Sequence, residues 1–229
     1  MRKLLLLSLV LVFAVVPTSA RADWADDFDS YATGSGLHGQ GGWKGWDNDP
    51  AWDAYVTDVY SQSAPNSVEI AGPSDMVHEY SGYGTGTWIY TAWQYVPADF
   101  AGLSYFLLLN TYNDTGPYNW SCQVLFDSAG YVISDPDGGE LSLITDRWVE
   151  IRVEIDLDAD LQTFYYDDQM LYQKSWIDGV SGDGAQNIGA VDLFANAAEP
   201  IYYDDLSLVE DQGTAIQESS WGRVKSLFR

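Results

Sequence analysis

Hydrophobic and polar side chains alternate most regularly in the segment RWVEIRVEIDLDAD, residues 147–160. A period of two places one set of side chains on one face of an extended chain and the other set on the opposite face. The segment therefore predicts a β-strand with one buried face and one face in water. The apolar positions that recur at every second residue are Val149, Ile151, Val153, Ile155 and Leu157.

Further strand-like segments occur along the whole chain, whereas helical periodicity is scarce. Residues 161–176 are predicted to form a hairpin that turns at 167–169. Many short strands without intervening helices predict an all-β protein, an antiparallel β-sandwich of the jelly-roll type. The other predicted strands are 88–96, 104–112, 119–127, 189–196 and 200–210, separated by turn-forming clusters at 64–67, 113–117, 135–139 and 181–187.

The first residues have the pattern of a secretory signal. Arg2 and Lys3 precede an apolar run at 4–16, and Ala-Arg-Ala at 20–22 supplies the small residues that signal peptidase accepts. The run is shorter than the roughly 20 residues that span a bilayer. We therefore expect residues 1–22 to be removed and the protein to be secreted or displayed at the cell surface, with no transmembrane segment in the mature chain.

The remaining chain divides into a domain and a short tail. Residues 23–210 have the length of one β-sandwich domain, and residues 211–229 begin as a polar linker and end in the basic stretch WGRVKSLFR. Trp221, Val224 and Phe228 are spaced for one side of a short helix, but so short a helix does not hold alone in water. The tail is predicted either to dock to a surface or an export component, or to be a frayed end.

Composition narrows the classes of partner and of chemistry. The chain has 34 acidic and 10 basic residues, a formal net charge of −24, which excludes nucleic acid and anionic membranes as partners of its body. Cys122 is the single cysteine and lies in a strand-like segment, so we expect a buried, inert thiol. His38 and His78 are the only histidines, which argues against a histidine-rich zinc site.

Several segments resemble the concanavalin A-like lectin/glucanase superfamily, in its laminin-G-like form. They are DDFDSY at 26–31, WIYTAWQYVP at 88–97, the tryptophan-led strand pair at 147–172, and IYYDDLSLVE at 201–210. In the strand pair, Asp167 and Asp168 replace the glycine turn of the family. The resemblance implies a jelly roll, a fold that hosts lectins, hydrolases, lyases and adhesion modules.

The resemblance also suggests weak catalytic candidates. Glucanases of this superfamily carry E-x-D-x-E on one strand, and the nearest match here is Glu154, Asp156 and Asp158. Alternation places these side chains on one face, about 6.6 Å apart along the strand, whereas a retaining pair of carboxylates is about 5–5.5 Å apart. A solvent-facing acidic strand that enters a turn is the favoured interpretation, and catalysis by Glu154 and Asp156 is the alternative.

The two ends of the domain carry candidate metal ligands. The first and last strands of jelly rolls commonly lie side by side, which would bring Asp27 and Asp29 towards Asp204 and Asp205. Carboxylates that converge without basic partners repel one another unless a hard cation lies among them, and Ca²⁺ accepts 6–8 oxygen ligands. Related carbohydrate-binding jelly rolls often hold a structural calcium in this region. A calcium ion is therefore expected there, with a solvated acidic edge as the alternative.

The segment GQGGWKGWDNDPAWD, residues 39–53, supplies the candidate ligand contacts. Trp43 and Trp46 are three residues apart, so in extended chain they face opposite ways and at most one of them belongs to the core. A tryptophan beside Asp47 and Asn48 suits a sugar, because the ring packs on apolar C–H faces and the short polar groups meet hydroxyls. A structural role in the core or in closing the loop is the favoured interpretation, and a sugar platform is the alternative.

Arg152 is a second candidate for ligand binding. It lies between Glu150 and Glu154 on the polar face of the alternating strand. This arrangement predicts an ion-pair network, with a ligand contact as the alternative.

Together these patterns predict a secreted, non-catalytic binding module that is stabilised by calcium. Its expected partner is an extracellular polysaccharide, a cell-surface glycoconjugate or another surface partner. A glycan-cleaving hydrolase or lyase of the same fold, and a structural or adhesive surface protein, are the alternatives.

Overall fold

The computed structural model of the protein describes residues 24–211. These residues form two antiparallel sheets packed face to face, with two short 3₁₀ turns at Trp46–Asn48 and Pro50–Trp52. The predicted antiparallel β-sandwich is confirmed. The predicted signal peptide and nearly all of the C-terminal tail lie outside the described residues. Within 24–211, no helix is long and apolar enough to cross a membrane.

One sheet contains both ends of the described chain, and we call it the terminal sheet. Its strand order is β13, β12, β11, β6, β15, β4 and β3, and β1 pairs with β15. The expected adjacency of the first and last strands is thus confirmed. The bounds are β1 Trp24–Asp26, β3 Tyr55–Thr57, β4 Ser67–Ile70, β6 Thr87–Tyr95, β11 Trp148–Asp156, β12 Leu161–Tyr166, β13 Gln169–Lys174 and β15 Ile201–Glu210.

We call the opposing sheet the groove sheet. Its strand order is β10, β9, β8, β7, β14, β5 and β2. The bounds are β2 Trp43–Gly45, β5 Asp75–Glu79, β7 Leu103–Thr111, β8 Asn119–Asp127, β9 Tyr131–Ser134, β10 Glu140–Ser142 and β14 Ala190–Phe194.

The core lies between the two sheets and is built by the alternation seen in the sequence. In β11 the apolar positions are buried and the charged positions are half-buried on the outer face. Each large apolar side chain removed from water in this way contributes about 1.5–3 kcal/mol. The largest side chains that are fully buried include Trp43, Trp176, Tyr90, Tyr166 and Phe106.

Two local predictions are also confirmed. The hairpin of β12 and β13 turns at Asp167 and Asp168, which both have a positive φ, of 51° and 58°. Two such residues make the tight turn whose twist matches that of the strands, and aspartate tolerates this backbone without glycine. Cys122 is a free, fully buried thiol, and burial raises its pKa to about 11. It is therefore unreactive at neutral pH.

Candidate functional site

The outer face of the groove sheet is apolar, although the outer face of an antiparallel sheet usually meets water with polar side chains. Val77, Leu107, Leu109 and Ala190 form a buried cluster on this face, separate from the core between the sheets. Aromatic side chains surround the cluster, so a second apolar layer covers the sheet. Its partly buried members are Trp46, Tyr105, Tyr118, Trp120 and Phe194.

The 3₁₀ turn after β2 brings Trp46 onto this face. The indole of Trp46 lies parallel to that of Trp120, at an angle of 7° and a centroid distance of 6.1 Å, and packs edge-on against Tyr112 at 5.0 Å. Gly45 permits the turn, because a β-carbon at this position would lie 2.2 Å from the carbonyl oxygen of Asp49. The loop therefore depends on a glycine directly before Trp46.

Asp47 fixes the position of this loop. Its Oδ1 accepts hydrogen bonds from the backbone N–H of Thr115, at 2.8 Å, and from the hydroxyl of Tyr118. Its own backbone N–H donates to the hydroxyl oxygen of Tyr112 at 2.9 Å. Asp47 and Asn48 both have positive φ, of 56° and 61°, which Asp and Asn adopt more readily than other residues with a side chain. Asp47 therefore positions the aromatic wall.

Between the aromatic side chains lies a groove of about 340 Å³. Its walls are mainly ring faces and its floor carries two carboxyl groups. Gln123 stands at its side, where the amide donates to Oδ2 of Asp135 at 2.7 Å. The lining residues include no lysine, arginine or histidine; they are Trp46, Asp75, Tyr105, Leu107, Trp120, Gln123, Asp192, Phe194 and Asn196.

Asp75 and Asp192 form a carboxyl pair at the floor of the groove. The two groups interact with each other, and the Oδ1 atom of each is buried without a hydrogen-bond partner in the described chain. Burial raises the pKa of Asp75, and burial together with the neighbouring charge of Asp75 raises the pKa of Asp192 well above its ordinary value. Two carboxyl groups in such contact hold one proton between them.

The register of two neighbouring strands creates this pair. In the ladder between β5 and β14, Asp192 lies opposite Val77 and Phe194 lies opposite Asp75. Asp75 and Asp192 are therefore diagonal neighbours on one face of the sheet, within reach of each other. Neither residue was predicted from the sequence. The available signal was an acid in the middle of the apolar strand AVDLF, where a buried charge is costly without a partner.

The structure separates the two tryptophans that were proposed as ligand contacts. Trp46 lies in the groove, whereas Trp43 is only 1% exposed and its indole N–H donates to Oδ2 of Asp26 at 2.8 Å. The assignment of Trp43 to a ligand surface was therefore wrong, because β2 turns this side chain into the core. Asn48 is half-buried beside the groove loop.

Arg152 lies on the outer face of the terminal sheet, away from the groove sheet. Its guanidinium pairs with Glu150 and Glu154 and stacks over the ring of Tyr165 at 4.0 Å. The predicted ion-pair network is thus present. The structure does not bring Arg152 together with Trp46, Asp47 and Asn48.

The weak catalytic candidates of β11 lie on the same outer face as Arg152. Glu154 is paired with Arg152, and Oδ1 of Asp156 accepts a hydrogen bond from the N–H of Ala159 at 2.9 Å. Asp156 thus caps the turn that follows β11. Both acids line a shallow depression of about 190 Å³.

The four acids proposed to bind calcium have different surroundings. Asp27 and Asp205 line a groove of about 580 Å³ beside β1 and β15. Asp204 is fully buried, and its two carboxyl oxygens accept three hydrogen bonds from backbone N–H groups. Asp29 accepts one from the N–H of Asn66. Within residues 24–211, no three His, Cys, Asp or Glu side chains are placed to hold a metal ion. The predicted set of four is therefore not assembled.

The fold is similar to that of several solved structures. No family model matches the chain, and no curated protein matches it. An endo-β-1,4-glucuronan lyase from the fungus Trichoderma reesei is similar over 83% of this chain and 96% of its own, with 9% identity and a TM-score of 0.53. The cellulose-induced protein Cip1 is similar over 81% and 96%, with 12% identity and a TM-score of 0.51.

A sialidase is similar over 84% of this chain but only 19% of its own, with 9% identity and a TM-score of 0.55. This chain therefore corresponds to a small part of that protein. Identities this low show a shared fold, an antiparallel β-sandwich of the jelly-roll type, and do not transfer an activity.

Proposed function

We propose that this protein is a glycan-binding module whose ligand lies in the groove of the groove sheet. The observation that carries the proposal is the parallel pair of indoles, Trp46 and Trp120, beside a carboxyl pair at the floor of the groove. Ring faces pack on the apolar C–H faces of sugars, and carboxyl oxygens accept hydrogen bonds from sugar hydroxyls.

The placement of the groove supports the same function. The groove is lined mainly by aromatic and apolar side chains with a few polar groups among them, a composition that is typical of ligand-binding clefts. The fold is also that of a glucuronan lyase and of a cellulose-induced protein. We extend the proposal to a secreted protein that meets an extracellular polysaccharide or a cell-surface glycoconjugate, as its N-terminal pattern predicts.

Glycan cleavage is the second candidate, and the Asp75–Asp192 pair favours it because one carboxyl is held protonated. The geometry nevertheless supports binding better. Glycosidases separate their carboxyl groups by about 5–5.5 Å in retaining enzymes and about 6.5–9.5 Å in inverting ones. Asp75 and Asp192 lie side by side at the floor of the groove, whereas both classes of glycosidase place their two carboxyl groups on either side of the scissile bond.

The experiment that tests the proposal is a polysaccharide panel assayed for retention and for cleavage. We expect retention of the protein on at least one glycan, without new reducing ends or unsaturated uronates. Absence of retention on every glycan contradicts the proposal. Turnover that Asp192→Asn abolishes would replace it by the enzymatic function.

Calcium is proposed as a stabiliser at the groove that Asp27 and Asp205 line, in place of the four-acid site predicted first. These two residues supply two carboxylates, and their neighbours Ser30 and Gly41 border the same groove. Calcium accepts hydroxyl and carbonyl oxygens as well as carboxylates.

A further inference from the structure

The carboxyl pair bears on which glycans the groove accepts. Asp192 is 4% exposed, lines the groove and has a buried Oδ1 without a hydrogen-bond partner in the described chain. Asp75 lines the same groove. Because the two groups hold one proton between them, the floor of the groove carries a net negative charge at neutral pH.

No cation in the lining offsets this charge. The lining residues contain no Lys, Arg or His. Lys44 extends from β2 on the same face, opposite Val77, but its ammonium is paired with Glu79 and Asp114. A carboxylate that entered the groove would therefore meet an anion within a largely apolar wall, where repulsion is stronger than in water.

We propose that the Asp75–Asp192 pair restricts this groove to uncharged glycans, so that a neutral polysaccharide binds and its uronate counterpart does not. The pair accepts hydrogen bonds from the hydroxyl groups of a neutral sugar and repels the carboxylate of a uronate. This inference rests on the proposed glycan-binding function and adds the charge class of the ligand to it. It also sets this groove apart from the uronate substrate that the name of the glucuronan lyase states.

Matched polymers test the proposal, because β-1,4-glucan and β-1,4-glucuronan differ only in the oxidation of C6, as do β-1,4-mannan and β-1,4-mannuronan. Hexamers of all four are titrated into the full-length protein by calorimetry at neutral pH. We expect at least one neutral hexamer to bind about tenfold or more tightly than its uronate counterpart, which a single unfavourable charge contact suffices to cause.

Variants of the Asp75–Asp192 pair test whether the pair causes the preference for neutral hexamers. Asp192→Asn leaves the charge of Asp75 at the floor, so the preference for the neutral hexamer is expected to remain. The double variant Asp75→Asn, Asp192→Asn removes that charge, so the preference is expected to shrink. Asp99→Asn removes one charge from an exposed position outside the groove. This control is expected to leave the ratio of neutral to uronate affinity unchanged. Thermal melting of each variant shows whether it is folded.

The outcomes separate the two proposals. Equal binding of neutral and uronate hexamers, or tighter binding of the uronates, overturns the selectivity and leaves glycan binding intact. The selectivity is also overturned if Asp99→Asn changes the ratio of neutral to uronate affinity as much as the double variant does, with both variants folded. Binding of none of the four hexamers, together with no retention on the polysaccharide panel, overturns glycan binding and the selectivity with it.

Discussion

The indole rings of Trp46 and Trp120 lie parallel, 6.1 Å apart between centroids, although one belongs to a loop and the other to strand β8. Loop and strand are connected through Asp47, which accepts hydrogen bonds from the segment that leads into β8. The wall of the groove therefore has a fixed shape before any ligand arrives. A preformed wall lowers the entropy cost of binding.

Removal of either indole is expected to weaken glycan binding. We predict that Trp46→Ala or Trp120→Ala lowers affinity about tenfold or more, because buried aromatic contacts dominate such surfaces. Affinity electrophoresis in gels that contain the retained polysaccharide measures the effect. Trp148→Ala is the control, since this half-buried tryptophan lies on the terminal sheet. Equal loss in the control would contradict the assignment of the groove.

Asp47 gives a graded test of the loop. Asp47→Asn keeps an acceptor oxygen and a side chain that tolerates positive φ, whereas Asp47→Ala removes the acceptor and leaves alanine at φ 56°. We predict that Asp47→Ala costs about 1–3 kcal/mol of unfolding free energy and that Asp47→Asn costs less. Urea unfolding followed by tryptophan fluorescence measures both. Equal losses would mean that the hydrogen bonds to Oδ1 do not hold the loop.

The free energy of unfolding is expected to fall as the pH rises from about 4 to about 8. Burial raises the pKa of Asp75 to about 6, that of Asp204 to about 7, and that of Asp192 well above its ordinary value. A raised pKa means that the folded state holds the proton more tightly. The protonated carboxyl groups therefore contribute fully to the free energy of unfolding below the unfolded-state pKa of about 4. This contribution is lost as the pH rises through the folded-state pKa values.

Asp192→Asn isolates the part of this dependence that belongs to the carboxyl pair. The asparagine amide is uncharged and offers an N–H donor to Asp75, so Asp75 is expected to ionise more readily and the slope against pH to become shallower. Denaturation in urea at several pH values measures the slope. A slope identical to that of the unaltered protein would show that the pair does not share a proton.

Calcium is expected to raise the melting temperature, and EDTA to lower it, if the groove of Asp27 and Asp205 binds the ion as proposed. A ligand present at about 100 times its dissociation constant stabilises the folded state by about 2.7 kcal/mol. Asp205→Asn is expected to remove the response. A melting temperature indifferent to both additions would eliminate the calcium proposal.

The strands were predictable because their signal is local. Alternation in residues 147–160 fixes which side chains of β11 face the core, and it does so without knowledge of any partner strand. The opposite placements of Trp43 and Trp46 also follow a local rule, although which one reaches the surface depends on the turn at Gly45. Features of this kind can be predicted from a few neighbouring residues.

The groove was not predictable because it is assembled from distant segments. Asp75 and Asp192 meet only through the ladder between β5 and β14, and Trp46 meets Trp120 only because a loop folds over the sheet. Neither acid belongs to a motif. The acids at 26–29 and 204–205 show the opposite error. The adjacency of the first and last strands suggested one metal site, whereas backbone N–H groups bind the carboxylates of Asp204 and Asp29.

The most direct test of the account is an NMR titration of the ¹⁵N-labelled protein with the neutral hexamers of β-1,4-glucan and β-1,4-mannan. The indole N–H resonances of Trp46 and Trp120 are expected to shift progressively with added sugar, whereas those of the buried Trp43 and Trp176 are expected to stay in place. Shifts confined to Trp148 and other residues of the terminal sheet, with Trp46 and Trp120 unmoved, would contradict the groove as the glycan site.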